Sequence, residues 1–223
     1  MSVEESVVSV PESLARGTRA PADQLSKRLF DIVFAALLIF FLSPLLLAIA
    51  TIAWVECGTV LFGHRRVGAN GEEFICWKFR TMVDNADKLL DRLFIADPAA
   101  RAEWERDFKL KNDPRLTRTG KLLRVTSLDE LPQLFNVLIG EMSLVGPRPI
   151  VAAEINRYGV TFDDYVQCRP GITGVWQTSG RNNVDYRERV RLDAIYVRDW
   201  SMQGDIMLLL KTPLVVLRRI GAY

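Results

Sequence analysis

The chain has 223 residues, of which 49% are hydrophobic, and its 29 Lys and Arg against 27 Asp and Glu leave a formal net charge of +2. This near balance argues against a non-specific nucleic-acid binder, so no nucleic-acid partner is expected. One His, His64, excludes a His-rich zinc site. Three Cys without a Cys-x-x-Cys spacing fit a reduced, cytosolic environment. The length suffices for one domain with a sizeable core.

The chain begins with an acidic segment and continues into a long apolar run. Residues 1–26 carry Glu, Asp, Ser, Ala and Pro with few large apolar side chains, which predicts a poorly ordered tail. Residues 32–55 contain no charged side chain. As a straight helix this run would be roughly 36 Å long, at about 1.5 Å per residue, which exceeds the roughly 30 Å hydrocarbon core of a bilayer.

The residues of the apolar run are compatible with several structures. Pro44 near its centre removes one helical hydrogen bond and predicts a kink or break. Lys27 and Arg28 precede the run, and more basic residues follow it at 65–66, so charge does not orient a simple crossing. A kinked spanning helix, a signal peptide cleaved near residues 48–50, a buried core helix and a re-entrant helix that enters and leaves by one face all remain.

The remainder, residues 57–223, has a mixed pattern that predicts a soluble domain. Residues 74–80 read as a short strand, and residues 84–111 as two helices divided by Pro98. Residues 114–124 place a cation at every third position, which predicts one charged helix face that meets either solvent or phosphates. In residues 205–220, Pro213 predicts a break in a surface or core helix.

An adjacent pair of carboxylates is the most informative feature. Ser127 followed three residues later by Glu130 is a capping-box pattern, which places Asp129 and Glu130 at a helix start. The pair could simply cap that helix. Alternatively it could provide a nucleophilic carboxylate with a neighbouring acid, base or metal ligand. Cations nearby in the chain favour a phosphorylated substrate, and the candidates for phosphate binding are Arg124, Arg148, Lys78 and Arg80.

A glycine-rich segment follows at residues 169–182. Its glycines could let the backbone approach a ligand closely, or could serve only to make turns. It matches neither a Walker A loop nor a dinucleotide-binding fingerprint.

Taken together, these segments resemble the bacterial sugar transferases, the monotopic phosphoglycosyl transferases, from residue 26 to the end of the chain. The motifs that carry the resemblance are Lys27, Arg28 and Asp31 before the apolar run, Ser43 and Pro44 within it, and the segments 78–82, 127–133, 142–149 and 169–182.

The resemblance implies a mainly α fold with small β content. Residues 27–56 would form a re-entrant membrane helix broken at Ser43 and Pro44, and residues 57–223 a compact catalytic domain with amphipathic helices on the cytoplasmic face of the bacterial inner membrane. The family transfers a sugar 1-phosphate, here expected to be galactose 1-phosphate, from a UDP-sugar to undecaprenyl phosphate in exopolysaccharide synthesis, releasing UMP. A homodimer is an open alternative to a monomer, and a non-catalytic membrane-anchored scaffold protein is the rival function.

The resemblance also assigns roles to residues. Asp129 would be the nucleophile that forms a covalent phosphosugar intermediate, and Glu130 would assist it. Both would be ligands of a Mg²⁺ cofactor. Nucleotide binding would fall to Arg181, Asn182 and Arg169.

Overall fold

The computed structural model describes residues 21, 24–107, 110, 113–179 and 184–217. The nucleotide-binding candidates Arg181 and Asn182 lie outside these residues. The predicted acidic tail also lies outside them, except for residues 21 and 24–26. The described part is mainly helical with little β structure, as predicted. In chain order its elements are α1 (Leu25–Cys57), β1 (Leu61–Val67), β2 (Glu73–Phe79), α2 (Ala86–Ala96), α3 (Pro98–Asp107), α4 (Arg118–Thr126), α5 (Gln133–Ile139), β3 (Ser143–Val145), α6 (Ile155–Tyr158), α7 (Phe162–Tyr165), β4 (Gly171–Thr173), α8 (Val175–Ser179), α9 (Tyr186–Arg198) and α10 (Met202–Leu217).

The apolar run forms most of α1, the one described helix that is long and apolar enough to cross a membrane. Its backbone stays helical through Pro44, where the sequence predicts a kink or break. Proline has no N–H for the carbonyl four residues back, and the Ser43 hydroxyl donates to that carbonyl, on Phe40, at 2.8 Å. Gly58 ends the helix in the left-handed conformation and donates to the Trp54 carbonyl. The re-entrant topology stays a prediction.

Among the described residues, α1 packs on the rest of the protein mainly through its two ends. Asp31 and Ala35 are buried near its start, and Ile49 and Cys57 near its end, whereas residues 36–48 include no buried side chain. Ala35 joins the main core cluster of α5, β2 and β3, and Ile49 joins a second cluster with Phe79 of β2. Both ends of the apolar helix therefore contact one folded body.

Two small sheets organise that body. β1 and β2 form an antiparallel hairpin in which Arg66 faces Phe74 and His64 faces Cys76. β3 and β4 pair in parallel, and here the glycine-rich segments cross: Gly146 donates to Thr173 at 2.9 Å, and Gly171 donates to Pro147 at 2.7 Å. A Cβ on either glycine would collide with the other segment's backbone. These two glycines thus allow the close backbone–backbone crossing, and Gly171 also lines the cleft described below.

Three local predictions were wrong. Ser127 does not form a capping box, because it ends α4 in the left-handed conformation with a φ of 56° and its side chain caps nothing. Helix α4 begins at Arg118, capped by Thr117, so Arg115 is not on its face and instead makes two hydrogen bonds to Asp113 at 2.8 and 2.7 Å. Helix α10 continues through Pro213.

The predicted strand and the division at Pro98 are both present, as β2 and as the boundary between α2 and α3.

Candidate active site

The two adjacent carboxylates lie in a one-turn 3-10 helix, Leu128–Glu130, directly before α5. Their position is fixed from behind by Asn136 of α5, which is fully buried. The Asn136 amide oxygen accepts from the Trp77 backbone N–H at 3.1 Å, and its nitrogen donates to the Ile75 carbonyl at 2.7 Å. Helix α5 is thereby fixed against β2, and the carboxylates stand beside the end of that strand.

Glu130 points into an open cleft of about 270 Å³. Its Oε1 accepts from Lys78 Nζ at 2.6 Å, with both side chains 22% exposed. The cleft is lined by Arg66, Cys76, Lys78, Glu130, Gln133, Arg148, Pro149, Gly171, Ile172 and Gln177. Three cations against one carboxylate in this lining make the cleft a site for an anion.

The hairpin and the sheet crossing deliver these cations. Arg66, Cys76 and Lys78 share one face of the β1–β2 hairpin, because side chains alternate along a strand and opposed residues point to the same side. Arg148 follows the β3–β4 crossing, and its guanidinium lies 5.8 Å from the centre of the Trp176 ring. Arg66 also donates to the Pro149 carbonyl at 3.1 Å, which joins the hairpin to the Arg148 loop.

The two carboxylates have different electrostatic surroundings. Asp129 is 7% exposed and is not part of the cleft lining. Burial raises the pKa of Asp129 to about 6 and the charge of Glu130 adds to the rise, although Lys78 opposes it. For Glu130, burial alone would raise the pKa, but the charges of Lys78 and Arg148 outweigh it and bring the pKa down to about 2.

Arg124 also opposes the rise in the Asp129 pKa, so its positive charge lies within reach of that carboxylate. Its Nε donates to the Thr81 hydroxyl at 3.0 Å, which holds the exposed guanidinium beside the end of the hairpin.

Besides Asp129 and Arg124, two further predicted site residues that the structure describes are not in the cleft lining. Arg80 bonds to Thr59 and Asp84 at 2.9 and 3.1 Å, beside the end of α1. The Nε of Arg169 donates to the Gly140 carbonyl at 2.8 Å, past the end of α5. The structure thus supplies both side chains with hydrogen-bond partners within the protein.

Three cleft residues with charged or amide side chains were not among the predicted site residues: Arg66, Gln133 and Gln177. His64 and Arg66 occupy alternate positions shortly before the predicted strand, and this spacing could have indicated a cation on the same face of a hairpin as Lys78. Gln133 and Gln177 offer no comparable signal, because an isolated glutamine is common on any surface.

The described residues include no group of three or more His, Cys, Asp or Glu side chains that could enclose a metal ion. Mg²⁺, however, is commonly held by one or two carboxylates together with substrate phosphates. Asp129 and the Glu130 oxygen not bonded to Lys78 fit such a partial ligand set. The carboxylates are thus compatible with Mg²⁺ when a phosphorylated substrate completes its coordination.

Known proteins share this chain's sequence over most of its length. It is 54% identical over 197 residues to an undecaprenyl-phosphate galactose phosphotransferase of Salmonella typhimurium, covering 88% of this chain and 41% of that protein. It is 47% identical over 209 residues to the exopolysaccharide production protein ExoY of Sinorhizobium fredii, covering 93% and 92% of the two chains. A UDP-glucose:undecaprenyl-phosphate glucose-1-phosphate transferase of Escherichia coli is 38% identical over 199 residues, covering 85% and 40%.

The chain spans less than half the length of several of these curated relatives, including the first three it matches. The family model of the bacterial sugar transferases matches residues 22–219, which include every element of the fold and the whole cleft. The chain therefore belongs to the bacterial sugar transferase family.

Proposed function

We propose that this protein transfers a sugar 1-phosphate from a UDP-sugar to undecaprenyl phosphate and releases UMP, as the first step of exopolysaccharide synthesis. The observation that carries the proposal is the Asp129–Glu130 pair beside a cleft that Arg66, Lys78 and Arg148 make cationic. Both substrates are polyanions, and such a cluster offsets their charge as a carboxylate approaches phosphorus. Galactose is the favoured sugar because the relative named for galactose is more similar than the one named for glucose.

In the proposed reaction an Asp129 carboxylate oxygen attacks the sugar-proximal phosphorus. The bond from that phosphorus to the bridging oxygen breaks, and UMP leaves with the electron pair. A phosphate oxygen of undecaprenyl phosphate then attacks the same phosphorus, which breaks the acyl-phosphate bond and restores the carboxylate. Even with a pKa of about 6, Asp129 is mostly ionised above pH 7, so this nucleophile needs no separate base.

The neighbours of Asp129 have supporting roles in this proposal. Lys78 holds Glu130 ionised and oriented, and Arg148 and Arg124 stabilise phosphate charge on either side of the pair. Asp129 and Glu130 would hold Mg²⁺, which when bound supplies further positive charge to the phosphates. The nucleotide role proposed for Arg181 and Asn182 rests on the family resemblance alone.

We further propose that the chain lies on the cytoplasmic face of the bacterial inner membrane, with α1 as a re-entrant helix. The packing of both ends of α1 on one body supports this topology, because a simple crossing would carry one end to the opposite face. Residues 36–48, which include no buried side chain and contact the core clusters only through Ile39 and Leu46, would enter the lipid. They extend roughly 20 Å as a straight helix, less than the roughly 30 Å core.

Substitution of Asp129 by Asn tests the proposed nucleophile. We expect Asp129→Asn to lower UMP release from UDP-galactose and undecaprenyl phosphate by about 10³-fold or more, since an amide cannot form the acyl phosphate. Labelled sugar phosphate should also no longer attach to the protein. The matched control is Asp91→Asn, an exposed aspartate of α2, which should keep wild-type turnover.

Near-normal turnover in Asp129→Asn would refute the nucleophile assignment. A wild-type protein that binds UDP-sugar but never releases UMP would instead favour the non-catalytic scaffold alternative.

A further inference from the structure

Two glutamine side chains in the cleft have no role in the proposed chemistry. Gln133, the first residue of α5, is 2% exposed and lines the cleft. Gln177 of α8 lines the same cleft, and its Oε1 is buried with no partner among the described residues. A buried amide oxygen without a partner costs on the order of 1–3 kcal/mol of folding stability, so the position of Gln177 requires an explanation.

The backbone around Gln177 holds it in this position. Its Oε1 lies so close to Gly174 that a Cβ there would come within 2.8 Å of it. The preceding residue, Trp176, is buried and contacts Arg148 and Arg189 through its ring face. Helix α8 is therefore held on the Arg148 side, and Gln177 shares the cleft with that cation.

The side chains that line the cleft limit what the two amides can bind. Lys78, Arg66 and Arg148 account for a phosphate. The amides are neutral and can both donate and accept, which suits hydroxyl groups rather than a second phosphate.

We propose that Gln133 and Gln177 bind the hydroxyl groups of the donor's sugar and set which sugar is accepted. The hexose is joined to the reacting phosphate through a single oxygen, whereas the uracil is separated from it by a second phosphate and a ribose. Residues that share a small cleft with the phosphate-binding cations therefore meet the sugar before the base. This inference rests on the proposed function, and it adds the part of the substrate that each amide contacts.

Methionine substitutions separate this role from a structural one. Gln133→Met and Gln177→Met keep the side-chain length and remove the amide, so each should keep a cooperative unfolding transition. Gln177→Met also removes an unpartnered buried oxygen and should have unchanged or higher thermal stability. Each is expected to weaken binding of the preferred UDP-sugar about 10-fold, as the loss of one buried hydrogen bond to the ligand does. The preference between UDP-galactose and UDP-glucose should shrink, while UMP, which has no sugar, binds within about 2-fold of wild type.

The full chain in detergent serves for the test, with dissociation constants for UDP-galactose, UDP-glucose and UMP and with kcat/KM for both sugar nucleotides. Gln167→Met is the matched control, because the Gln167 amide donates to the Asp163 carbonyl outside the cleft. If a methionine variant lacks a cooperative unfolding transition, Asn is introduced at that position instead. Asn keeps an amide but on a side chain one methylene shorter, so the same changes in affinity and sugar preference are expected.

Each other outcome has a definite meaning. Parallel weakening of UMP and UDP-sugar would place the amides on the nucleotide and overturn the inference, and so would unchanged affinity and preference in both variants. If wild-type protein bound UDP-sugars without turnover, the proposed function would be contradicted. The dissociation constants of the variants would still test whether the glutamines contact the sugar. Wild-type protein that binds neither UDP-galactose nor UDP-glucose would overturn both.

Discussion

At the scale of single residues, the cleft is defined by neighbouring acids in contrasting surroundings. Asp129 is buried and its pKa rises, whereas Glu130 faces Lys78 and Arg148 and its pKa falls. Pairs of acids whose environments push their pKa values apart commonly divide catalytic roles between them. This contrast fits a nucleophile, Asp129, beside a carboxylate that stays ionised, Glu130. The sequence alone does not reveal the difference in pKa between these adjacent residues.

A third acid, Asp193 of α9, has a strongly raised pKa behind the cleft. It is 2% exposed, burial raises its pKa to about 8, and it accepts a 2.8 Å hydrogen bond from Tyr158. Arg148 and Arg189 oppose the rise but do not cancel it. The unfolded chain loses this proton near pH 3.8, so between about pH 4 and 8 only the folded state holds it. The Asp193 contribution to the free energy of unfolding therefore falls as pH rises through this range.

Asp193→Asn should remove this pH dependence, because an amide stays neutral and its oxygen can still accept from Tyr158. In thermal unfolding of the full chain in nanodiscs, we expect a smaller loss of Tm between pH 5 and pH 8 than in wild type. Asp163→Asn, at an exposed aspartate, should keep the wild-type loss. Equal losses in wild type and Asp193→Asn would show that Asp193 is ionised throughout.

Sequence patterns located some site residues and missed others for a physical reason. The cleft contains Glu130, Lys78 and Arg148 as predicted, because adjacent carboxylates and loop cations are rare enough to be informative. Arg80 and Arg169 lie outside the cleft lining and bond to Asp84 and the Gly140 carbonyl, partners that become neighbours only through folding. The cleft glutamines are invisible to composition, since only their place in the fold distinguishes them.

At the scale of elements, the prolines show where local rules fail. Pro44 and Pro213 were expected to interrupt helices, yet α1 and α10 continue through them. In α1 the Ser43 hydroxyl satisfies the carbonyl that Pro44 leaves free, on Phe40. The existence and type of the long helices followed from the sequence, whereas the continuity of α1 is supported by a side-chain hydrogen bond to the backbone that a pattern of residue types does not reveal.

The packing of both ends of α1 predicts its topology. Cysteines introduced separately as Leu25→Cys and Arg65→Cys occupy exposed positions at the first residue of the helix and after its end, and the three native cysteines are buried and should react little. In intact spheroplasts we expect both positions to be protected from a membrane-impermeant maleimide, and in lysed spheroplasts both should react.

Phe41→Cys, in the unpacked middle of α1, is the comparison for a position within lipid and should stay unreactive in either preparation. Labelling of either Leu25→Cys or Arg65→Cys in intact spheroplasts would show that α1 crosses the membrane.

At the scale of the whole molecule, α1 is an integral part of the fold. Lys27 and Asp205 of α10 form a buried ion pair at 2.6 Å, and Lys27 also donates to the Val145 carbonyl at 3.0 Å. Asp205 in turn accepts from Tyr196 and Trp200. A buried ion pair that loses one partner destabilises a protein by about 3–5 kcal/mol, a large part of typical stability.

These contacts predict that the domain does not fold without its apolar helix. Removal of residues 1–57 leaves the Asp205 carboxylate buried without its cation and takes Ala35 and Ile49 out of two core clusters. Expressed alone, residues 58–223 should aggregate, and any soluble fraction should unfold without a cooperative transition. A chain that lacks only residues 1–20 keeps every contact named here and serves as the control. A soluble 58–223 chain with a cooperative unfolding transition and wild-type affinity for UMP would show that α1 is only an anchor, and the ion pair would then contribute little to stability.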